Sequence, residues 1–340
     1  MANPQSGGAR RSLLRRSGPA GAQILGVGSY QPERVVTNDE MCTMIDSSDE
    51  WIRQRTGIAE RHWAGEDESL LTMMERASRR ALEHAQVEAS QIDTIVVSTV
   101  TWLKQTPAIA PLLGAALGCP TAAAYDISAA CAGFEYALAQ ADGLVRAGAA
   151  GHVLIVAADK LTDLTDLTDR STAFLFADGA GAAVVGPSDV PRIGPVVWGA
   201  DGEQGDVITM SSDWLTAMRT GVPSTITMEG RKVFRWATTT IADVAQKVLD
   251  VSGVSADELD LFIPHQANNR ITDSMLRHLT LPDSVLVART IERTGNTSAS
   301  SIPMAIDTLY HSGDIRPDAT ALLIGFGAGL VYAGQVVILP

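Results

Sequence analysis

Cysteine is scarce in this chain: three residues in 340, at positions 42, 119 and 131. An odd set cannot pair completely, and the apolar or helical surroundings of all three argue against a disulfide framework. Basic charge is short as well, with 26 Lys and Arg against 39 Asp and Glu and a formal net charge of −13. Such a chain repels a phosphate backbone, which argues against general nucleic-acid binding. No run of about 18 apolar residues occurs, so no membrane-spanning helix is expected. No Cys/His cluster has zinc spacing, and no metal is expected either. Arg10, Arg11, Arg15 and Arg16 lead into no apolar h-region before the first strand-like stretch at Gln23–Val27. Residues 1–22 therefore read as a disordered tail rather than a secretory signal, and a cytoplasmic location is expected.

What remains is a balance of 46% hydrophobic and 19% charged residues, enough for a large core in two ordinary domains or one large one. A weak internal repeat bears on that choice. ALEHAQVEASQIDTIVVST (81–99) matches VLDVSGVSADELDLFIPHQ (248–266) without gaps, at an offset of 167. In each copy a helix end is followed by a short polar link, an aliphatic-Asp pair and an apolar strand. FADGAGAAVVG (176–186) matches GFGAGLVYAGQVVI (325–338) at an offset of 148, glycine-alanine turns leading into apolar strands in both. The repeat predicts two similar α/β halves, 23–190 and 191–340, whose continuous apolar strands are buried on both faces. Leu70, Leu71, Met74, Ala77, Ala81, Leu82 and Ala85 recur at helical spacing, as do Ile241, Val244, Ala245 and Val248, and these stripes read as core.

Three polar residues far apart in the chain stand in contexts suited to sulfur-based acyl chemistry. Cys131 lies in DISAACAGFEYAL (126–138), where small residues flank the thiol and a helical pattern follows. That places it at a helix N-terminus, where the dipole favours a thiolate. His265 follows the apolar run 259–264 and so emerges from a buried strand into a polar loop, while Asn296 sits in the turn RTGNTSASS (293–301). Taken singly, each has a plain structural reading as a small hydrophobe, a structural histidine or a loop asparagine. Three such groups arriving from strand and turn ends fit a site assembled by tertiary structure. Arg231, Lys232, Arg235, Arg270 and Arg277 add local basic clusters near the His265 loop, which against an acidic background suggests an anionic ligand.

With these residues in hand, the chain resembles the β-ketoacyl-acyl carrier protein synthase III family of the thiolase-like superfamily, from about residue 23 to 340. The resemblance rests on GSYQPERVVTN (28–38), SSDEWIRQRTGI (47–58), AACAGF (129–134), TDRSTAFLFADGAGA (168–182), PHQAN (264–268), TGNTSASS (294–301) and GFGAG (325–329). It implies an α/β thiolase-like duplicated fold in five layers, αβαβα, in agreement with the repeat. It implies Cys131 as nucleophile, His265 and Asn296 as its partners, and an oxyanion hole from the backbone N–H groups of Cys131 and Ala328. No cofactor is implied, since the CoA thioester is a substrate. An acyl-CoA acylates the cysteine, and decarboxylation of a malonyl-acyl carrier protein leaves an enolate that attacks the acyl group, starting fatty acid biosynthesis. Trp51 and Arg170 match the pair that sandwich the CoA adenine; Arg55 and Thr56 would meet the nucleotide, and Gly230 and Asn268 the pantetheine arm. Arg235, Gln266, Arg270 and Arg277 match the carrier-protein docking set. Thr106, Trp102 and Phe326 match the acyl pocket. At Thr106 acetyl-selective members carry a phenylalanine donated across a homodimer interface, so the smaller threonine implies branched or longer primers.

A priming synthase of a polyketide pathway would carry nearly the same motifs. A papain-like cysteine hydrolase also orders Cys, His and Asn this way, but the surroundings of Cys131 and the duplication do not suit it. A non-enzymatic CoA- or carrier-binding module would have no use for the three polar residues together.

Overall fold

The computed structural model describes residues 17–340. Most of the expected tail, with its four arginines, lies outside the described residues, and the first strand begins at Gly21, two residues before the expected start.

Strands of two to eleven residues, most of them apolar runs, form two five-stranded sheets. The first holds β1 (Gly21–Tyr30), β2 (Thr94–Ser98), β3 (Ala123–Ile127), β4 (Val153–Lys160) and β5 (Asp178–Ser188), in the order β1-β5-β4-β2-β3. Here β2 is parallel to β3 and β4, whereas β5 is antiparallel to β4 and β1. The second holds β6 (Val197–Ala200), β7 (Leu261–Pro264), β8 (Leu286–Val287), β9 (Thr320–Gly327) and β10 (Val331–Ile338), in the order β6-β10-β9-β7-β8. Its directions repeat those of the first sheet strand for strand.

Helices complete the layers. On the outer face of the first sheet lie α1 (Leu70–Ala85) and α2 (Ile109–Leu117), whose buried stripe includes Met73, Met74, Ala77, Ala81 and Leu113. Between the sheets runs α3 (Gly133–Arg146), with Phe134, Ala137, Leu138 and Ala141 at most 1% exposed. Outside the second sheet lie α4 (Ala242–Ser252) and α5 (Asn269–Leu279). Returning to the middle, α6 (Ser301–Ser312) packs beside α3, so that one apolar cluster joins both sheets through these two helices. The order is helix, sheet, helix, sheet, helix, a single sandwich with its core split over three apolar layers. The small residues that flank Cys131 and face the sheets let α3 sit enclosed between them.

The first repeat match is structural: α1 and α4 each end before a capped turn (Ala89–Gln91, Ala256–Glu258) that leads into β2 or β7. The second match is out of register. Val153 pairs with Val185 and Thr320 with Ile338, so β5 corresponds to β10, while the Gly-Ala-Gly at 327–329 lies at the β9–β10 turn. A short glycine-alanine string occurs for two different reasons in the two halves.

Candidate active site

The carboxyl ends of the parallel strands in both sheets point to one region, the usual place for a ligand in an open α/β sheet. After β3 the chain makes a tight turn at Ala130–Ala132, with Ala130 at φ 43°, and enters α3 at Gly133. Cys131 is thereby held at the N-terminal end of α3. Gly327, at the end of β9, lies so close that a Cβ there would stand 2.8 Å from Cys131 Cβ and 2.9 Å from Sγ. Only glycine permits this approach.

His265 follows β7 directly, its backbone N–H donating to Ile324 O at 2.8 Å. The ring is 2% exposed, with Phe326 edge-on at 5.5 Å and Ser301 Oγ 2.7 Å from Nδ1. Ser301 Oγ already accepts the Gln266 N–H at 3.2 Å, and its own proton has no other acceptor among the described residues. The hydroxyl therefore donates to Nδ1, which leaves the imidazole proton on Nε2. Asn296 is fixed by its backbone: its N–H donates to Leu175 O and its carbonyl accepts from Ala177 N, both at 2.9 Å. Its side-chain Oδ1 accepts the Ser298 N–H at 2.9 Å, so the amide NH2 is the group left for the site. Gly295 precedes it at φ 67°, with Arg61 Cβ only 2.8 Å from where a Cβ would stand.

Cys131, His265, Asn296, Ser298, Phe326, Gly327 and Ala328 line one cavity of about 1100 Å³. Trp51, Arg55, Thr56, Gly230, Arg235, Asn268 and Arg270 line the same cavity. Among the described residues, four arginines, counting Arg231, face it and no carboxylate does, in a chain of net charge −13. An anion meets a locally positive opening. Part of the wall is an antiparallel hairpin, Ile208–Met210 with Ile226–Met228. Arg170 and Arg55 stack on the Trp51 ring at 5.2 and 5.6 Å, and Phe174 meets it edge-on. A planar base entering between Trp51 and Arg170 would have to move the guanidinium aside.

Burial sets the electrostatics. It pushes the Cys131 thiol up to about 12, opposed by the polarity of the Ser298 hydroxyl and helped by the nearby Asp159 charge. Burial therefore opposes the thiolate that the helix terminus was expected to favour. That rise corresponds to about 4 kcal/mol against the anion, and a helix terminus returns at most about 2 kcal/mol. Burial lowers His265 to about 3, so the imidazole is neutral. Asp159, also fully buried, is raised to about 6, and Glu135 on the first turn of α3 is raised well above the carboxylate range.

One sequence expectation needs correction, and the structure locates several others. Gln266 is 1% exposed: its Nε2 donates to Pro264 O and Ala288 O, and its Oε1 accepts the Ile291 N–H. It braces the loop and cannot meet a docked protein. The Thr56 hydroxyl is likewise consumed, donating to Ile52 O and accepting from Ile58 N, so only its surface reaches the cavity. Thr106 is exposed, and Trp102 packs on the α1–α2 side with its indole N–H on Pro107 O; neither lines the cavity of this chain. Arg277 is exposed on α5, farther along the helix than Arg270. Sequence reasoning missed Ser298, Ser301 and Asp159. The only signal for Asp159 was an acid inside the apolar strand VLIVAADK.

Two sheets of one topology, with a cysteine, a histidine and an asparagine gathered at their strand ends, define a thiolase-like acyl-transfer fold. Family models for 3-oxoacyl-[acyl-carrier-protein (ACP)] synthase III match residues 125–202, and for its C-terminal part residues 249–339. The chain is 53% identical over 321 residues to the β-ketoacyl-[acyl-carrier-protein] synthase III of Streptomyces glaucescens, covering 94% of this chain and 96% of that one. The priming β-ketosynthase of the R1128 polyketide pathway superposes with a TM-score of 0.94 at 48% identity, covering 96% and 98% of the two chains. The synthase III of Aquifex aeolicus does so at 0.86 and 37%, covering 94% and 100%. The chain belongs to the β-ketoacyl-[acyl-carrier-protein] synthase III family, acyltransferases whose condensation of an acyl-CoA with a malonyl carrier protein initiates fatty acid or polyketide synthesis. No helix among the described residues is long and apolar enough to cross a membrane.

Proposed function

We propose that this chain condenses an acyl-CoA primer, branched or longer than acetyl, with malonyl-acyl carrier protein to initiate fatty acid biosynthesis. The observation that carries the reading is the shared cavity, whose lining joins Cys131 and the buried His265 and Asn296 to apolar walls and, among the described residues, to four arginines and no carboxylate. Cys131 attacks the thioester carbon, the acyl group moves to sulfur, and CoA departs as a thiolate. The backbone N–H groups of Cys131 and Ala328 hold the oxyanion. Malonyl carrier protein then loses CO2, and its enolate oxygen accepts hydrogen bonds from His265 Nε2 and Asn296 Nδ2. Enolate carbon attacks the acyl carbon, a C–C bond forms, and the Cys131 thiolate is released. Trp51 and Arg170 clasp the adenine, Arg55 and Thr56 border the nucleotide, and Gly230 and Asn268 flank the pantetheine arm. Arg235, Arg270 and Arg277 receive the acidic carrier protein.

A priming role in a polyketide pathway is the second reading, favoured by the R1128 ketosynthase at a TM-score of 0.94. Both readings predict that incubation with labelled isobutyryl-CoA leaves one acyl group on Cys131, released as a 3-oxoacyl product when malonyl carrier protein is added. Cys131→Ala should abolish both steps. Labelling of Cys42 or Cys119 instead, or hydrolysis without condensation, would overturn the assignment.

A further inference from the structure

Formation of the thiolate requires the thiol proton to go somewhere, and His265 does not provide the place, since burial keeps it from accepting one above about pH 3. Behind Cys131 the structure holds another route. Asp159, near the end of β4, is 0% exposed. Its Oδ1 accepts the Val100 N–H at 2.8 Å and the hydroxyls of Thr99 and Thr101 at 3.0 and 3.2 Å. Its Oδ2 is buried without a partner of good geometry, and so is the Ser298 hydroxyl. A native protein rarely leaves such oxygens idle. The 298–300 turn that carries Ser298 packs both on the 130–132 turn that carries Cys131 and on β4, which carries Asp159, so the three side chains gather in one place. Ser298 itself is held at φ 57°, a strained conformation for a residue with a side chain.

Resting on the acyl-transfer reading above, we propose that Ser298 and Asp159 form a proton relay for Cys131. The thiol proton passes to Ser298 Oγ as the Ser298 hydroxyl proton passes to Asp159 Oδ2. The thiolate attacks the acyl-CoA, and the departing CoA thiolate takes its proton from solvent. Asp159 keeps the stored proton while the acyl-enzyme waits. When condensation releases the Cys131 thiolate, the proton returns by the same path. One solvent proton is consumed per turnover, and the enclosure never holds a second negative charge on this pair. A carboxylate and a thiolate in one enclosure disfavour one another, and because the thiol at about 12 holds its proton more tightly than the carboxyl at about 6, the transfer is transient and is completed only as sulfur attacks the thioester.

Other ionisable groups nearby do not substitute. Glu135 on α3 is held protonated by burial and cannot accept. Asp178 on β5 spends its oxygens on Ala64 N, Thr162 N and the Thr162 hydroxyl. His265 on the β7 side stays neutral.

The test is the pH dependence of single-turnover acylation by isobutyryl-CoA, read by mass spectrometry of the quenched protein. In the unaltered protein the rate should be flat above about pH 7 and fall below it as Asp159, raised to about 6, takes a proton from solvent. Asp159→Asn should lose on the order of 10²-fold at pH 7, the usual worth of a positioned proton acceptor. Its rate should then climb tenfold per pH unit, because thiolate must form by release to solvent. Ser298→Gly removes the hydroxyl while relieving the positive φ, so it should match or exceed the parent in thermal stability yet show the same slow, rising profile. If both variants acylate at the parent rate with a flat profile, the relay is wrong and the acyl-transfer assignment stands. If the parent is not acylated at Cys131 at all, that assignment falls and the relay with it.

Discussion

An imidazole kept neutral at about 3 cannot act as a cation in the physiological range, so His265 is left with the work of a hydrogen-bond donor. Ser301 at 2.7 Å fixes which nitrogen donates. Asn296, its carbonyl oxygen tied to Ser298 N, likewise offers only its NH2. Two neutral donors suit an oxygen that gains charge in a low-dielectric site better than one in a resting thioester. His265→Ala and Asn296→Ala should therefore still acylate Cys131 but lose roughly 10²–10³-fold in decarboxylation of malonyl carrier protein. Burial lowers the histidine pKa, so its neutral form persists as pH falls, and decarboxylation should show no inflection at the ordinary histidine value near 6.5. Measuring the two half-reactions separately across pH checks this. Variants that decarboxylate but fail to acylate would reverse the assigned roles.

At the scale of one element, α5 carries the docking argument. Asn268 caps it, accepting the Arg270 N–H at 2.9 Å, and this fixes where Arg270 leaves the backbone. The guanidinium stands over the Phe234 ring at 5.3 Å, at the exposed edge of the cavity. An acidic carrier protein delivering a thioester to Cys131 would pass this point. Arg270→Glu should raise the KM for malonyl carrier protein about tenfold, flatten its salt dependence and spare acylation by free acyl-CoA. Equal effects on both substrates would remove the docking role. The elements themselves were legible in sequence: the 3.6-residue stripes of α1 and α4 and the apolar strands before His265 carry their periodicity locally. Gln266 entered the docking set by resemblance alone, and its three backbone partners become visible only once β7 and the 288–291 turn meet. Asp159, Ser298 and Ser301 were silent for the same reason, since a buried hydrogen bond between distant strands leaves no local pattern.

For the molecule as a whole, the duplication was legible because each half must bury a sheet on both faces, and that demand repeats in sequence. The expected acyl-pocket residue Thr106 stands apart from the Cys131 site in one chain. Thr106 is exposed and outside the cavity, so in a single copy it bounds nothing that Cys131 could fill. The first sheet also ends in β3, paired on one side only, which leaves a row of backbone groups for another strand to meet. A homodimer across this edge would give Thr106 a role in the partner's site. Trp102 is committed to its own loop by its bond to Pro107 O, so in such a dimer Thr106 rather than Trp102 would be the side chain to test for pocket length. Each methylene accommodated is worth about 0.8 kcal/mol, roughly fourfold in kcat/KM. Isobutyryl-, isovaleryl- or longer acyl-CoA should therefore be used at least as well as acetyl-CoA by a protein that sediments as a dimer. Thr106→Phe should turn that preference toward acetyl-CoA while leaving malonyl decarboxylation unchanged. A monomer with full activity, or a strict acetyl preference in the unaltered protein, would show that another side chain closes the pocket and that the smaller residue at 106 decides nothing.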